Sequence, residues 1–316
     1  MDYTVAIRTL GKAGEKYQTL LDSLSQQTIK PLAINIYIAE GYELPKETIG
    51  IEKYFYVKKG MVAQRALPYN EVDSEYILFL DDDLYLPPNT VEILFKALKD
   101  NQADVVAPDI FPNHRRGILN KFMMRISGRM HARQDDGVWG YKVMKNSGYS
   151  YNRNPQKSTY LSQTNAGACF LCKKSDFLKI HFEDELWLDY MPYPLGEDQV
   201  MYYKMYKMGL KQITLYEHGM VHLDAGLNMT HEKERRRLYG DLYFKTIFWH
   251  RFLYQPEKSI WHKFLDICSI GYVYFFSLFI SLLKCNYLIM KTKYDAIKDA
   301  RCFINSEQYK ELDRIV

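Results

Sequence analysis

In these 316 residues no secretion signal, disulfide framework or internal repeat is expected. The amino terminus, Met1-Asp2-Tyr3-Thr4, has no basic stretch followed by an apolar one. Passage through a secretion channel is therefore not expected, and a cytoplasmic location is. The five cysteines are odd in number and scattered, which suits a reducing compartment. Cys169 and Cys172 form a C-x-x-C inside an apolar run, with no second pair to complete a zinc site, so they are expected to pack as small hydrophobes. The formal net charge of +4 is too small to imply a nucleic-acid partner, and none is expected.

With 47% hydrophobic and 25% charged residues, the chain has the composition of an ordinary globular protein. Its length suggests a catalytic domain of about 200 to 250 residues with a smaller appendage. Residues Tyr3 to Leu10, Leu32 to Ala39, Tyr54 to Val57, Tyr76 to Leu80 and Val105 to Ala107 read as strands. Between them, Tyr17, Leu20, Leu21 and Leu24, then Val91, Leu94, Phe95 and Leu98, carry the i, i+3, i+4, i+7 spacing of helices with one buried face. This alternation predicts an α/β layer around a mixed, mainly parallel sheet. From Asn113 to Tyr160 the periodicity fades. Ten Lys or Arg there stand against two acidic residues, so a long functional loop region is expected. Gly167 to Cys172 resumes a strand, Gly196 to Met208 reads as a helix, and Gln212 to Tyr216 and Met220 to Leu223 read as short strands. Beyond Thr230 the character changes to long aromatic and basic helices.

Three features carry chemistry. Asp81-Asp82-Asp83 leaves the most apolar strand at its carboxyl end, the edge where open parallel sheets bind ligands. Adjacent carboxylates repel unless a cation or hydrogen-bond donors neutralise them, and a divalent ion shared with a diphosphate would do so. Taken alone, the triplet is as readily a solvated helix start. Glu197-Asp198 opens a helix, where an acidic pair can divide the tasks of proton acceptor and acceptor holder. His222 follows a short strand and is placed to close a metal site, with His218 the competing candidate.

The ordered set Thr9, Leu24-Ser25-Gln26-Gln27-Thr28, Ala39-Glu40-Gly41, Gly60 to Arg65, Asp81 to Asp83 with Pro87, Glu197-Asp198 and His222 resembles the family 2 glycosyltransferases of the GT-A fold, over roughly residues 3 to 225. The resemblance implies an inverting hexosyltransferase that uses a nucleotide-sugar and a divalent cation, Mn²⁺ or Mg²⁺. It implies that Thr9, Glu40 and Arg65 line the nucleotide pocket, with Asp81 near the ribose or the metal. Asp82 either lines the same pocket or points away. Asp83 and His222 would hold the metal, Asp198 would be the base and Glu197 would support the acceptor. The family usually has an acidic residue where Ala39 stands, so the nucleotide is left between uridine, the favoured choice, and deoxythymidine. Arg115, Arg116, Arg125, Arg129 and Arg133 are candidates to meet a phosphate or carboxylate on a glycan or lipid-linked acceptor, a solvated loop being the alternative. A sugar-phosphate nucleotidyltransferase shares the acidic strand end but leaves Glu197-Asp198 unexplained. An inactive GT-A-like scaffold is the other alternative.

The expected division is a catalytic domain over 1–229, with a donor half of about 1–112 and an acceptor half of about 113–229, and a helical extension over 230–316. Ile267 to Leu283 holds no charged residue for 17 positions. As a helix this stretch would be about 25 Å long, short of the roughly 30 Å hydrocarbon core. Flanking lysines and tryptophans suit a helix at the inner-membrane surface, and packing on the catalytic domain or a partner is the alternative.

Overall fold

The apolar runs assemble into one sheet. In the computed structural model, which describes residues 2–110, 122, 126, 137–152, 154–193, 195–223 and 230–312, β1 (Tyr3–Thr9), β2 (Ala33–Ala39), β3 (Glu52–Val57) and β4 (Tyr76–Asp81) lie in the order β3-β2-β1-β4, all parallel. Two-residue β5 (Leu84–Tyr85) and β6 (Val105–Pro108) follow. The next strands are β7 (Trp139–Val143), β8 (Tyr149–Tyr151), β9 (Thr159–Ser162), β10 (Cys169–Lys173), β11 (Gln212–Leu215) and β12 (Val221–His222). The sheet continues from β4 as β10-β6-β11-β9-β7-β8, and β12 pairs separately with β5. Antiparallel β10 between β4 and β6 makes the sheet mixed. The central strands are buried on both faces, which is why they read as continuous apolar runs.

Helices α1 (Glu15–Ser25) and α2 (Thr90–Asn101) bury the faces their spacing marked, including Leu20, Leu24, Leu94 and Leu98. Gln27 ties them together: its side-chain amide donates to the Pro87 carbonyl at 2.9 Å, and its oxygen accepts from Val91 N at 3.1 Å. That fixes the chain just beyond Asp81 to Asp83. On the other face, α3 (Lys174–Lys179) and α4 (Glu197–Lys207) are joined by a 3-10 segment, Phe182–Tyr190.

The segment expected to be one long loop instead carries β7, β8 and β9, which widen the sheet. These strands are short and rich in Tyr, Ser and Lys, so burial on one face left little apolar alternation to see. Residues 111–121, 123–125 and 127–136, with Arg115, Arg116, Arg125, Arg129 and Arg133, lie outside the described residues.

The carboxyl-terminal helices are α5 (His231–Phe248), α6 (Ile260–Leu283), α7 (Tyr287–Ile304) and α8 (Glu307–Lys310), with a π-helical turn, Trp249–Tyr254, after α5. Thr230 caps α5 by accepting from Lys233 N. Phe244, Ile247, Phe248 and Phe252 belong to the same apolar cluster as Phe170, Met201 and Tyr203, so these helices share a core with the sheet. Helix α6 has 24 residues, about 36 Å at about 1.5 Å per residue, longer than the uncharged stretch alone. Its first turns take in Lys263 and Asp266, and Asp266 is buried against Lys145 at 3.4 Å.

Candidate active site

The parallel pairing of β1 and β4 sets Arg8 directly opposite Asp81 at the carboxyl edge of the sheet. Arg8 donates to both oxygens of Asp81, Nε to Oδ1 at 2.6 Å and Nη2 to Oδ2 at 3.2 Å. It also reaches Glu197 Oε1 at 3.3 Å and the Met61 carbonyl at 3.2 Å. Arg65, only 2% exposed, donates to Asp81 Oδ1 at 3.3 Å, to Asp198 Oδ1 at 3.0 Å and to the Gly167 carbonyl at 2.8 Å. The result is an alternating chain of charges: Glu197, Arg8, Asp81, Arg65, Asp198. Alternation makes this much buried charge tolerable, since Arg8, Asp81 and Arg65 each have a partner of opposite sign on both sides. Burial alone would raise the Asp81 carboxyl, but Arg8 and Arg65 outweigh it and hold the group below its usual range. Glu197 is raised, first by burial and then by Asp198 beside it.

Above Asp81 lies a cavity of about 620 Å³, lined by the ends of β1 and β4, by Lys12, Lys16 and Lys59, and by Asp82, Asp83 and His222. Lys12, Lys16 and Lys59 in one lining with Asp81, Asp82 and Asp83 suit a ligand carrying both phosphates and a cation. The Thr9 hydroxyl donates to Asp82 and accepts from Gly11 N at 2.8 Å, so Asp82 lines this cavity and does not point away. Burial raises the Asp82 carboxyl to about 6, with the Thr9 bond opposing and the charges of Asp81 and Asp83 adding. The β5–β12 pairing brings His222 to Asp83: His222 sits opposite Leu84, Leu223 N donates to the Asp83 carbonyl at 2.8 Å, and His222 Nε2 lies 3.4 Å from Asp83 Oδ1. The competing His218 is committed elsewhere. Its Nε2 meets the Asp109 carbonyl at 2.8 Å, its Nδ1 accepts from Met220 N at 3.0 Å, and burial lowers its pKa.

Asp83 and His222 are thus the pair able to hold a divalent cation. Both oxygens of Asp81 are met by guanidinium groups, so it is a poor additional ligand. Among the described residues no group of three His, Cys, Asp or Glu is gathered closely enough to hold a metal unaided. One carboxylate and one imidazole fit a cation that draws its remaining ligands from a bound diphosphate.

Asp198 opens on a second cavity of about 410 Å³, lined also by Tyr141, Tyr149, Tyr151, Asn165 and Lys245. The Arg65–Asp81 pair stands between the two cavities. Gly167 is what lets Asp198 approach: a Cβ there would meet Asp198 Oδ1 at 1.8 Å and Arg65 Nη1 at 2.8 Å. Gly60 has the same part beside the first cavity, where a Cβ would fall 2.1 Å from Asp189 Oδ2. Asp189 accepts from Val62 N and Ala63 N, both at 2.9 Å, and so holds the turn that aims Arg65.

Thr9 and Asp81 to Asp83 line the first cavity, Arg65 lies beneath it, and Glu40 is exposed and outside its lining. Glu197 meets Arg8 and does not line the second cavity, although it was expected to support the acceptor. Sequence reasoning missed Arg8, Asp189 and Gly167. Arg8 did carry a signal, as a lone charge inside an otherwise apolar strand; Asp189, in the 3-10 segment, carried none. Cys169 and Cys172 are buried on β10, and burial raises both thiols, as core cysteines require.

Residues 53–180 match the family model described as "Glycosyl transferase family 2", a span that includes Arg65 and Asp81 to Asp83. No curated protein matches the chain. Among solved structures, that of S. aureus TarS is similar, at 13% identity and a TM-score of 0.48, covering 87% of this chain and 44% of that one. The chain therefore spans less than half the length of that protein.

Proposed function

We propose that this chain, whose residues 53–180 match the family 2 glycosyltransferase model, is an inverting glycosyltransferase that moves a sugar from a nucleotide-sugar, in the first place a UDP-sugar, to a hydroxyl of a glycan or lipid-linked acceptor in surface polysaccharide synthesis. The observation that carries this reading is the placement of Asp198 on one cavity and of Asp83 with His222 on the other, joined by Arg65 and Asp81.

Asp198 accepts the proton of the acceptor hydroxyl. The hydroxyl oxygen bonds to the anomeric carbon while that carbon's bond to the diphosphate oxygen breaks, and the electron pair leaves with the nucleoside diphosphate. Arg65 keeps Asp198 oriented, its Nη1 donating to Asp198 Oδ1 at 3.0 Å. Glu197 and Asp81 hold Arg8 against the donor side. Lys12, Lys16 and Lys59 receive the phosphates. A divalent cation held by Asp83 and His222 would neutralise charge gathering on the leaving diphosphate.

UDP is expected to raise the melting temperature in Mn²⁺ far more than in chelator, and Asp83→Asn to remove that difference. Ligand at about 100 times its Kd stabilises the native state by about 2.7 kcal/mol, ample for a thermal-shift measurement. The reading fails if no nucleoside diphosphate stabilises the protein, or if Asp83→Asn responds as the parent does.

The inner-membrane surface is proposed as the working location, supported by α6. By length and composition this helix is able to cross a membrane, and only 17% of its most apolar window is buried. Trp261, Phe264, Tyr272, Phe275, Phe279 and Leu282 are exposed at spacings that repeat one helical face, and Lys258 and Lys284 lie just beyond its ends. Co-sedimentation with phosphatidylglycerol vesicles is expected, weakened at least about tenfold by the double change Phe275→Asp and Phe279→Asp. Retention of the variant on vesicles, or self-association in place of vesicle binding, would count against this location.

A further inference from the structure

The second cavity has a chemistry of its own, and from it we propose that the acceptor end is recognised as a neutral sugar ring, held by the tyrosines of the β7–β8 hairpin. The proposal rests on the reading of Asp198 as base, because it places the reacting hydroxyl in the cavity that Asp198 lines.

Tyr149 and Tyr151 alternate along β8 and so share a face, while Tyr141 on β7 is the cross-strand partner of Tyr151. The Tyr141 ring centroid lies 5.9 Å from that of Tyr149 and 6.1 Å from that of Tyr151, with tilts of 46° and 34°. The Tyr141 hydroxyl donates to Asp109 Oδ1 at 2.9 Å, which locks the central ring of the three. All three rings line the cavity, and Tyr149 is still 44% exposed. A cluster of rings beside a carboxylate suits a pyranose: its C–H face, carrying partial positive charge, lies on the negative π faces while its hydroxyls turn to polar groups.

The remaining wall supplies those polar groups without a net positive charge. Asn165 is fixed by Ser162 Oγ at 2.9 Å and Thr214 Oγ1 at 3.0 Å, and Gln199 by the Ser147 carbonyl at 3.0 Å, so both amides are pre-set. Lys245, the single cation among the described lining residues, lies 2.5 Å from Asp241, which also lines the cavity. Asp198 is met by Arg65 at 3.0 Å, so the described wall carries no surplus charge of either sign, a setting suited to a neutral polyol. Lys245, Asp241 and Phe244 come from α5, so the first carboxyl-terminal helix forms a wall of this subsite.

Ligand-observed NMR on the full chain tests this with methyl glycosides of glucose, galactose and N-acetylglucosamine and with inorganic phosphate, each added without donor. At least one glycoside is expected to bind through its ring protons. Tyr149→Ala, at an exposed position, should weaken it by at least about fivefold, and Tyr149→Phe should restore it. The proposal is overturned if no glycoside binds, if binding survives Tyr149→Ala, or if phosphate displaces the bound glycoside. Glycoside binding in a protein that shows no Mn²⁺-dependent response to UDP would leave this subsite standing and remove the donor reading instead.

Discussion

Replacing Asp198 by Asn is expected to lower kcat by about 10²- to 10⁴-fold, the usual contribution of a positioned general base, with nucleotide binding retained. The substitution keeps the size of the side chain and removes its ability to take a proton. Arg65 keeps Asp81 at 3.3 Å and the Gly167 carbonyl at 2.8 Å, so its guanidinium remains satisfied in two directions and the fold survives. The first cavity, proposed to take the donor, does not include Asp198 in its lining, which is why affinity for UDP with Mn²⁺ should stay within a few-fold of the parent. Steady-state kinetics beside a UDP titration separate the two quantities. A kcat within tenfold of the parent would remove Asp198 from the role of base and turn attention to Glu197, which lies nearer Arg8 and the donor.

Much of this arrangement was legible in the sequence, and the limits were physical. β1, β2, β4 and β10 could be read because central strands buried on both faces must be apolar throughout. α1 and α2 could be read because each buries one face. β7 to β9 are short outer strands, and tyrosines of β7 and β8 turn toward a cavity, so neither rule marked them. In the site, order along the chain named Asp83 and His222 together, and the structure sets them 3.4 Å apart through a two-residue ladder no periodicity could show. Order could not separate Asp81 from Asp83. That distinction depends on Arg8 standing opposite Asp81, a matter of register between strands far apart in the chain. The tyrosine cavity was invisible for the same reason, since its walls come from β7, β8, α4 and α5.

Exchanging Glu185 for Ala is expected to cost about 3–5 kcal/mol of stability, the penalty for stranding a buried charge. Glu185 is fully buried and meets Arg251 through Nε at 3.0 Å and Nη2 at 2.8 Å, Lys204 Nζ at 3.2 Å and Trp187 Nε1 at 2.7 Å. Its loss leaves Arg251, 2% exposed, and Lys204 without that carboxylate. Thermal unfolding followed by circular dichroism should show a midpoint lower by roughly 10 °C. A change under about 1 kcal/mol would mean the pair is not a linchpin of the fold. Burial by itself would raise the Glu185 carboxyl, but Arg251 and Lys204 hold it below the ordinary value of 4.5. A depressed carboxylate stabilises the folded state above its unfolded pKa, and that stability is lost as pH falls through the folded value. The gap between parent and Glu185→Ala should therefore narrow in acid. Glu185 belongs to the segment before α4, whereas Arg251 lies in the π-helical turn after α5. The ion pair thus bolts the carboxyl-terminal helices to the sheet at a point where Phe248 and Phe252 already share its core, so residues beyond Thr230 support the floor on which Asp198 stands.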